Sequence, residues 1–497
     1  MIIHLLKQPI PSKKAFIIQL LLNFIVATIV LLALSHAEKN IFWVQKFKDA
    51  VLDWRMSWQI GIEPRLANGQ KIQPLAFIEI DDLTYRQWGS PIITPRKQLR
   101  SLIEQAKQGG ANVIVIDLDL TRLSDGCFHE PEHSPICSPQ QLNSDIALGL
   151  YLQQLNEEFS NPNQYDTPII LLNRTYRKPL DSNGYLKTDA FWEKPYSFLE
   201  GYLKEEQNVF WSARFLEPDN DQIQRRWPLV ALACEDHHLT AVPSLPLLAA
   251  MAQLYSCKDS TRQAAYLIRD LKRRLNEWAQ ALPCDPQRGL TIPQLCRTIT
   301  CSNLTITLPA KVGVSDKVHL IDLTKGNERI IYRFVPPNHL TSIQPRLIDS
   351  YRALTLLEKD ITVNQQIVLI GNTYEENQVN YSIPFHDQPI ASTYVIANAI
   401  DTLFRFGQFQ PPSLLYKISL LGGMVILLTL IINYYKFPLA LIWSIFCIGI
   451  FFWIESKVVH NDIMVDIVCW SILAVQLIQI FYLKIAAKKI ANTKSCQ

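Results

Sequence analysis

The sequence predicts an α/β protein in which a parallel or mixed sheet is layered with helices, joined to four transmembrane α-helices. Two observations support this fold class. In the middle of the chain, short apolar runs alternate with helical patterns, which is typical of a layered α/β domain. Near the two ends lie long apolar segments with few charges. Hydrophobic residues make up 48% and charged residues 19% of the 497 residues, and the apolar excess is concentrated in those end segments.

Four near-continuous apolar runs are predicted strands, because strands buried on both faces of a parallel sheet lack polar alternation. They are "LAFIEI" (75–80), "NVIVIDL" (112–118), "PIILLN" (168–173) and "QIVLIGN" (366–372). Helical patterns cover 96–107, 138–159, 245–255, 262–281 and 391–404. The pair Gly109–Gly110 is a natural end for the first of these helices. The less regular stretch at about 180–324 is interpreted as a long insertion.

The first predicted membrane span is 16–34, which carries no charge and is long enough to cross the hydrocarbon core as a helix. A cleavable signal peptide is the alternative, but the apolar run is long for that role and no small-x-small cleavage site follows it. The other predicted spans lie within 413–485, at 414–432, 438–454 and 463–485.

Lysines near the span ends predict the orientation, because cytoplasmic loops carry an excess of positive charge. The lysines that would share one side are Lys7, Lys13, Lys14, Lys436, Lys484, Lys488, Lys489 and Lys494. The prediction is a bacterial inner-membrane protein with a cytoplasmic N-terminus (1–15), a periplasmic domain (35–412) and a short cytoplasmic tail (486–497). With a formal net charge of +3 and no basic run interleaved with aromatic residues, the chain is not expected to bind nucleic acid.

Seven of the ten cysteines fall in the predicted periplasmic segment, where disulfides are permitted. Cys127 and Cys137 bracket a short polar excursion, and we expect them to form a disulfide. The others leave the connectivity open, since Cys284, Cys296 and Cys301 have several partners available, Cys257 and Cys234 among them. Buried free thiols are the alternative.

Polar residues at the ends of the predicted strands are the candidate ligand-binding set, because ligands of open α/β sheets gather at the carboxyl ends of the strands. The set consists of Asp82, Arg96, Asp117, Asp119, Asn173 and Asn372. Asp117 and Asp119 are two residues apart and therefore share one face of a strand. The alternative is structural, because an aspartate after a strand often caps the next helix or turn. A third alternative is catalysis.

No enzyme activity, cofactor or metal is predicted from the motifs. The patterns G-x-S-x-G, H-E-x-x-H and G-x-x-x-x-G-K-[ST] do not occur in the sequence. His129 and His133 lie four residues apart between two cysteines, a spacing that a zinc ion could use. Pro131 and Pro135 make a regular helix there unfavourable, so a polar loop is the preferred interpretation.

Two charged residues fall inside predicted spans, where charges are costly and usually paired. Lys417 lies about one turn into 414–432, and Asp466 lies about one turn into 463–485, both counted from the outer end. We expect them to interact and to couple these two helices. The alternative is that each reaches the outer interface by itself.

An ordered set of motifs resembles the second class of CHASE domain, the cyclase- and histidine-kinase-associated sensory extracellular domains. The set begins with "DAVLDWRMSWQ" (49–59) and continues through "AFIEIDD" (76–82), "WGSPIITPR" (88–96) and "GANVIVIDLD" (110–119). It ends with "VPSLPLLAA" (242–250), "IIYRF" (330–334), "IVLIGNT" (367–373) and "ANAIDTLF" (397–404). The spacing in "WGSPIITPR" is two residues longer than expected for the family, and the stretch at about 180–324 is longer and richer in cysteine.

The resemblance implies a bacterial periplasmic sensor with one membrane helix before the domain and three after it, and a homodimer. Members usually continue into a cytoplasmic output module, whereas only "KIAAKKIANTKSCQ" follows the last predicted span here. The expectation is therefore an inner-membrane sensory protein that perceives a periplasmic ligand and signals to a separate output protein. A membrane-anchored accessory or scaffold subunit is one alternative, and a periplasmic enzyme that uses the strand-end carboxylates is another.

Overall fold

The computed structural model describes most of residues 75–408 and parts of the two terminal segments. The described ranges are 13–40, 75–123, 139–161, 167–178, 191–258, 260–280, 305–308, 319–323, 327–333, 349–356, 362–374 and 380–408, with a few single positions missing inside them and scattered positions at 46–53 and 419–431. The chain forms two compact units. One comprises Met1–Arg55 and Phe409–Gln497, and the other comprises Met56–Gln408.

The unit Met56–Gln408 is a mixture of strands and helices in alternating order. Its strands are β1 (Leu75–Ile80), β2 (Val113–Asp117), β3 (Ile169–Asn173), β4 (Trp192–Glu193), β5 (Val209–Ser212), β6 (Arg226–Pro228), β7 (Val230–Glu235), β8 (His238–Pro243), β9 (Thr305–Leu308), β10 (His319–Asp322), β11 (Asn327–Arg329), β12 (Asp349–Arg352), β13 (Ile367–Asn372), β14 (Asn380–Tyr381) and β15 (Ile390–Ala391). Four of these, β1, β2, β3 and β13, are the strands that the sequence predicts.

The described helices include one in the terminal unit, α1 (Lys13–Asn40). Those of the larger unit are α2 (Asp82–Gln87), α3 (Arg96–Gln108), α4 (Pro139–Ser160), α5 (Leu245–Lys258), α6 (Thr261–Gln280), α7 (Ala353–Leu356) and α8 (Ser392–Phe406). The predicted helices at 96–107, 138–159, 245–255, 262–281 and 391–404 correspond to α3, α4, α5, α6 and α8.

The centre of the larger unit is a six-stranded sheet in the order β12-β1-β13-β2-β3-β5. Every neighbouring pair in it is parallel. The predicted α/β class with a parallel sheet is therefore confirmed. Because all six strands run the same way, their carboxyl ends lie at one edge of the sheet, and β13 lies between β1 and β2 at its centre.

Helices cover both faces of the sheet, and this explains why the strands are apolar throughout. Phe77, Val115 and Leu171 belong to one buried cluster, which also contains residues of α5, α6 and α8. Ile78 and Ile116 alternate with them along the chain and belong to a second cluster with residues of α3, α4 and α7. Alternate residues of a strand point to opposite faces, so a strand that is covered on both sides needs apolar residues at both sets of positions.

Helix α3 shows how the sequence places these layers. Its buried positions Leu99, Leu102, Ile103 and Ala106 recur with helical spacing and form one apolar stripe. The helix ends at Gly109, and Gly110 follows in the left-handed region with φ of +85°. Glycine adopts that conformation without steric cost, so the chain turns there into β2.

The stretch at about 180–324, interpreted from the sequence as an insertion, contributes directly to the core. It supplies the edge strand β5 of the main sheet and the helices α5 and α6, whose buried residues join one of the two clusters. It also forms a three-stranded sheet in the order β4-β7-β8. Cys234 in β7 is disulfide-bonded, so it is not a free thiol; the side chain of its partner lies outside the described residues.

The terminal unit contains α1, which includes the predicted span at 16–34. The Asn23 side chain donates to the Thr429 hydroxyl at 3.0 Å, and both are buried. Among the described residues, no helix combines the length and the apolar composition that a membrane crossing requires. The spans at 438–454 and 463–485 lie outside the described residues, and 414–432 is described only in part, so the four transmembrane helices stay predictions.

Two further sequence predictions fall outside the described residues. They are the coupling of Lys417 with Asp466 and the disulfide between Cys127 and Cys137. Both remain predictions.

Candidate functional site

A cleft of about 400 Å³ opens at the carboxyl edge of the central sheet. Its lining comes from the ends of β2 and β13, from the residues just after β3 and β5, from the loop before α3 and from the first residue of α8. This is where ligands of open parallel sheets bind, because the chain leaves the strands there in different directions. We call it the Asp117 cleft.

The carboxylate of Asp117 is the most connected group of the cleft. Its side chain has no exposed surface. One oxygen, Oδ1, accepts hydrogen bonds from Asn173 Nδ2 at 3.0 Å and from Arg214 Nη1 at 3.2 Å. The other, Oδ2, accepts from the hydroxyls of Ser392 at 3.1 Å and Thr393 at 2.9 Å. The four donors come from β3, from the chain after β5 and from the first turn of α8.

The donors also bond to one another, which closes the network. Arg214 donates to the Ser392 hydroxyl at 2.8 Å. The backbone amide of Arg214 donates to Asn173 Oδ1 at 3.2 Å. The side chains of Asn173 and Thr393 are fully buried. Each buried polar group therefore has a partner, which is the condition under which a buried charge is tolerated.

Burial and pairing act in opposite directions on the pKa of Asp117. Burial raises the pKa of the carboxyl, while Arg214, Thr393 and Ser392 lower it, and the net pKa lies above the ordinary value of 3.8. Burial lowers the pKa of Arg214, but Asp117, Tyr381 and Asp119 raise it, so that its net pKa is also above the usual range. Arg214 therefore stays charged, and the ionisation of Asp117 depends on the groups that touch it.

The start of α8 is tied to three adjacent strands. Ser392 and Thr393 bind Asp117 of β2, and Tyr394 donates its hydroxyl to Glu79 of β1 at 3.1 Å. A Cβ placed on Gly371 of β13 would lie at most 3.0 Å from three atoms of Thr393, so the strand and the helix approach each other as closely as glycine allows. The position of α8 thus depends on the geometry of the sheet edge.

The other candidate residues have different surroundings. The Asp119 carboxylate lines the cleft, and its Oδ1 accepts from the backbone amide of Thr121 at 2.9 Å and from the Thr121 hydroxyl. Asn372 lines the cleft and donates to the Tyr374 hydroxyl at 3.2 Å. Its Oδ1 is buried and has no hydrogen-bond partner within the part of the chain that the structure describes.

Arg96 lies behind the cleft wall rather than in its lining. Its side chain is buried and pairs with Asp145 at 3.4 Å. Its Nη2 donates to the backbone carbonyls of Asp119 at 3.3 Å and Arg122 at 2.7 Å. These bonds fix the loop that follows β2, so Arg96 shapes the wall.

Asp82 lies in the first turn of α2, next to the helix cap. The cap is Asp81, whose Oδ1 accepts from the backbone amide of Thr84 at 2.9 Å. Asp82 is not among the described residues that line the Asp117 cleft. The structure therefore brings Asp117 and Asn173 into contact, places Asp119 and Asn372 in the same lining, and leaves Asp82 apart.

The sequence did not indicate several residues of the cleft. Arg214 follows the edge strand β5, whose four residues have no recognisable alternation. Ser392 and Thr393 open α8, where serine and threonine are usually explained as helix caps. Arg122, Arg177 and Thr175 also line the cleft from loops. A serine–threonine pair at the start of a largely apolar helix was the one usable signal.

No three side chains of histidine, cysteine, aspartate or glutamate converge on a metal position among the described residues. The polar groups of the cleft are instead arginines, hydroxyls and an amide around one buried carboxylate. Groups of this kind can recognise small polar molecules through hydrogen bonds and charge. The domain therefore has the architecture in which α/β proteins commonly bind ligands, a covered parallel sheet with a polar cleft at its carboxyl edge.

The comparison with protein families identifies the chain. The sequence model of the CHASE2 domain matches residues 24–435, and the chain therefore belongs to the CHASE2 family. CHASE2 domains are sensory extracellular domains, and the resemblance seen in the sequence motifs is confirmed. The comparisons with curated proteins and with solved structures each give no match.

Replacing Arg214 by methionine should destabilise the folded protein more at about pH 7 than at about pH 4.5, by roughly 1 kcal/mol or more. Because the folded-state pKa of Asp117 is raised, protonation of this carboxyl favours the folded state. The stabilisation is fully present below pH 3.8, the ordinary pKa of an aspartate, and is lost as the pH rises through the folded-state pKa. Arg214 lowers that pKa, so its removal enlarges the loss at neutral pH.

Urea unfolding of the full chain at both pH values measures this difference. The control is Arg86→Met, which removes the same charge from an exposed position of α2. An Arg214→Met deficit that is equal at both pH values, or larger in acid, would show that Arg214 does not support the ionised form of Asp117.

Proposed function

We propose that this protein is a membrane-anchored receptor whose extracellular domain perceives a signal in the Asp117 cleft. The signal would pass through α8 and the predicted membrane spans to a separate output protein. The observation that carries the proposal is the attachment of Ser392 and Thr393, the first two residues of α8, to the buried Asp117. A change in the cleft can therefore reach α8 without an intermediate element.

Helix α8 is suited to transmit a displacement because it is fixed along its length. Asn398 Oδ1 accepts from the backbone amide of Arg333 at 2.6 Å, and the Thr402 hydroxyl accepts from that of Ile331 at 3.0 Å. The Arg333 guanidinium also pairs with Asp401 at 2.9 Å. A helix that is buried and hydrogen-bonded to its neighbours at several points moves as one rigid element, and its ends do not unwind separately.

In the sequence, the predicted second span follows α8. The helix ends at Phe406, and Gly407 adopts φ of +65°, a conformation that stops the helix. The predicted span begins shortly afterwards, at 414. The proposed mechanism is a population shift, in which a ligand moves α8 only as far as its affinity differs between two arrangements of the domain.

The alternatives account less well for the cleft. A scaffold subunit would need its strand-end acids only as local caps, which describes Asp81 and one oxygen of Asp119. It does not explain why Asp117 gathers donors from three separate parts of the chain. A strand-end enzyme would have to use Asp119 alone, because both oxygens of Asp117 are buried and already accept two hydrogen bonds each.

The extracellular placement predicts a labelling pattern in spheroplasts. A membrane-impermeant maleimide should label Leu83→Cys, because Leu83 is 51% exposed on α2, and should label the native Cys496 of the tail only after permeabilisation. The wild type and Cys496→Ser give the backgrounds. Labelling of Leu83→Cys only after permeabilisation would place the domain in the cytoplasm and contradict the proposal.

Thr393→Val should accelerate hydrogen exchange along Ser392–Phe406, because it removes the hydroxyl that binds Asp117 while keeping the shape of the side chain. We expect roughly a fivefold or larger effect in the full chain held in lipid nanodiscs. Thr121→Val is the matched control, since its hydroxyl binds Asp119 and makes no contact with α8 among the described residues. Unchanged exchange in Thr393→Val would mean that the cleft is not connected to the helix.

A further inference from the structure

The Asp117 cleft carries positive charge that the described residues do not neutralise. Of its three arginines, Arg214 is paired with Asp117. Arg122 and Arg177 are exposed, line the cleft and have no acidic partner within the part of the chain that the structure describes. The remaining carboxylate of the lining, Asp119, has one oxygen occupied by Thr121. The lining therefore favours an anion.

Two buried polar atoms of the same lining lack a partner in the described residues. They are Asn372 Oδ1 and Thr175 Oγ1. A buried polar atom without a hydrogen bond costs free energy, so a ligand group that supplies the bond gains it back. A hydroxyl is the suitable group, because it both donates and accepts and so serves either orientation of the Asn372 amide.

The size and the apolar part of the lining restrict the ligand further. The volume of about 400 Å³ suits a small molecule rather than a peptide. The apolar part of the wall comes from Ile92, Ile93, Leu118 and the buried ring of Tyr374. The first residue of α8, Ser392, also lines the cleft, and the amino end of a helix favours negative charge.

We propose that the Asp117 cleft binds a small hydroxylated organic anion, whose carboxylate or phosphate lies against Arg122 and Arg177 and whose hydroxyl bonds to Asn372. This inference rests on the proposed function, because it names the ligand class of the receptor. The bound ligand then shares the cleft with Arg214 and Ser392, the residues that connect the cleft to α8.

Calorimetric titration of the full chain in nanodiscs tests the proposal with four probes. L-malate and glycerol 3-phosphate each carry an anion and a hydroxyl. Succinate lacks the hydroxyl of malate, and glycerol lacks the phosphate. At least one of the first two should bind saturably below about 10 mM, succinate should bind roughly tenfold more weakly than malate, and glycerol should not bind. The comparison of malate with glycerol 3-phosphate decides between a carboxylate and a phosphate.

Two variants locate the binding. The double variant Arg122→Gln/Arg177→Gln should weaken binding roughly 100-fold. The control Arg86→Gln removes an exposed positive charge that is not in the lining, and it should leave binding unchanged. Asn372→Leu should abolish the preference for malate over succinate. All four substitutions alter exposed or partly exposed side chains, and thermal unfolding of each variant verifies that it is folded.

The proposal is overturned if neither hydroxylated anion binds, or if the double variant binds them as tightly as the wild type. Its failure is distinguishable from failure of the proposed connection between the cleft and α8. If Thr393→Val accelerates hydrogen exchange in α8 but no anion binds, the connection is supported and this ligand class is excluded. If an anion binds but saturation leaves hydrogen exchange in α8 unchanged, the ligand class is supported and transmission of its binding to α8 is excluded.

Discussion

One buried carboxylate organises the functional edge of this domain. Asp117 has no exposed side-chain surface and accepts four hydrogen bonds. A charge in that position is tolerated only when it is paired and fully hydrogen-bonded, so its partners must come to it. They come from β3, from the chain after β5 and from α8, and the need to satisfy one acid thereby positions three parts of the fold that lie far apart in sequence.

This constraint divides the cleft into two sets of groups. Asp117, Asn173, Arg214, Ser392 and Thr393 satisfy one another in one hydrogen-bond network. Four other groups of the lining have hydrogen-bonding capacity left over among the described residues, namely Arg122, Arg177, Thr175 and Asn372. Arg214 and Ser392 belong to the network and also line the cleft, so a molecule in the cleft can reach residues that hold α8. Membership of the CHASE2 family fits a receptor built in this way.

The fold was predictable in its centre and less so at its edges. Strands β1, β2, β3 and β13 are uninterrupted apolar runs, and burial on both faces leaves that pattern in the sequence. The edge strands β5 and β12 are short and carry no such pattern, so they were missed. Asp117 and Asn173 were predicted together because both end central strands. Arg214, Ser392 and Thr393 contact Asp117 from 97, 275 and 276 residues away in the sequence. Local periodicity does not encode contacts of that separation.

If Asp117 holds α8 through Thr393, the two residues are energetically coupled. A double-mutant cycle with Asp117→Ala and Thr393→Val, followed by urea unfolding of the full chain in nanodiscs, measures this coupling. We expect the second substitution to cost about 1–2 kcal/mol less once the first is present, because the bond that it removes is already lost. Costs that add to within about 0.5 kcal/mol would show that the two residues do not interact and that Asp117 does not hold α8 in this way.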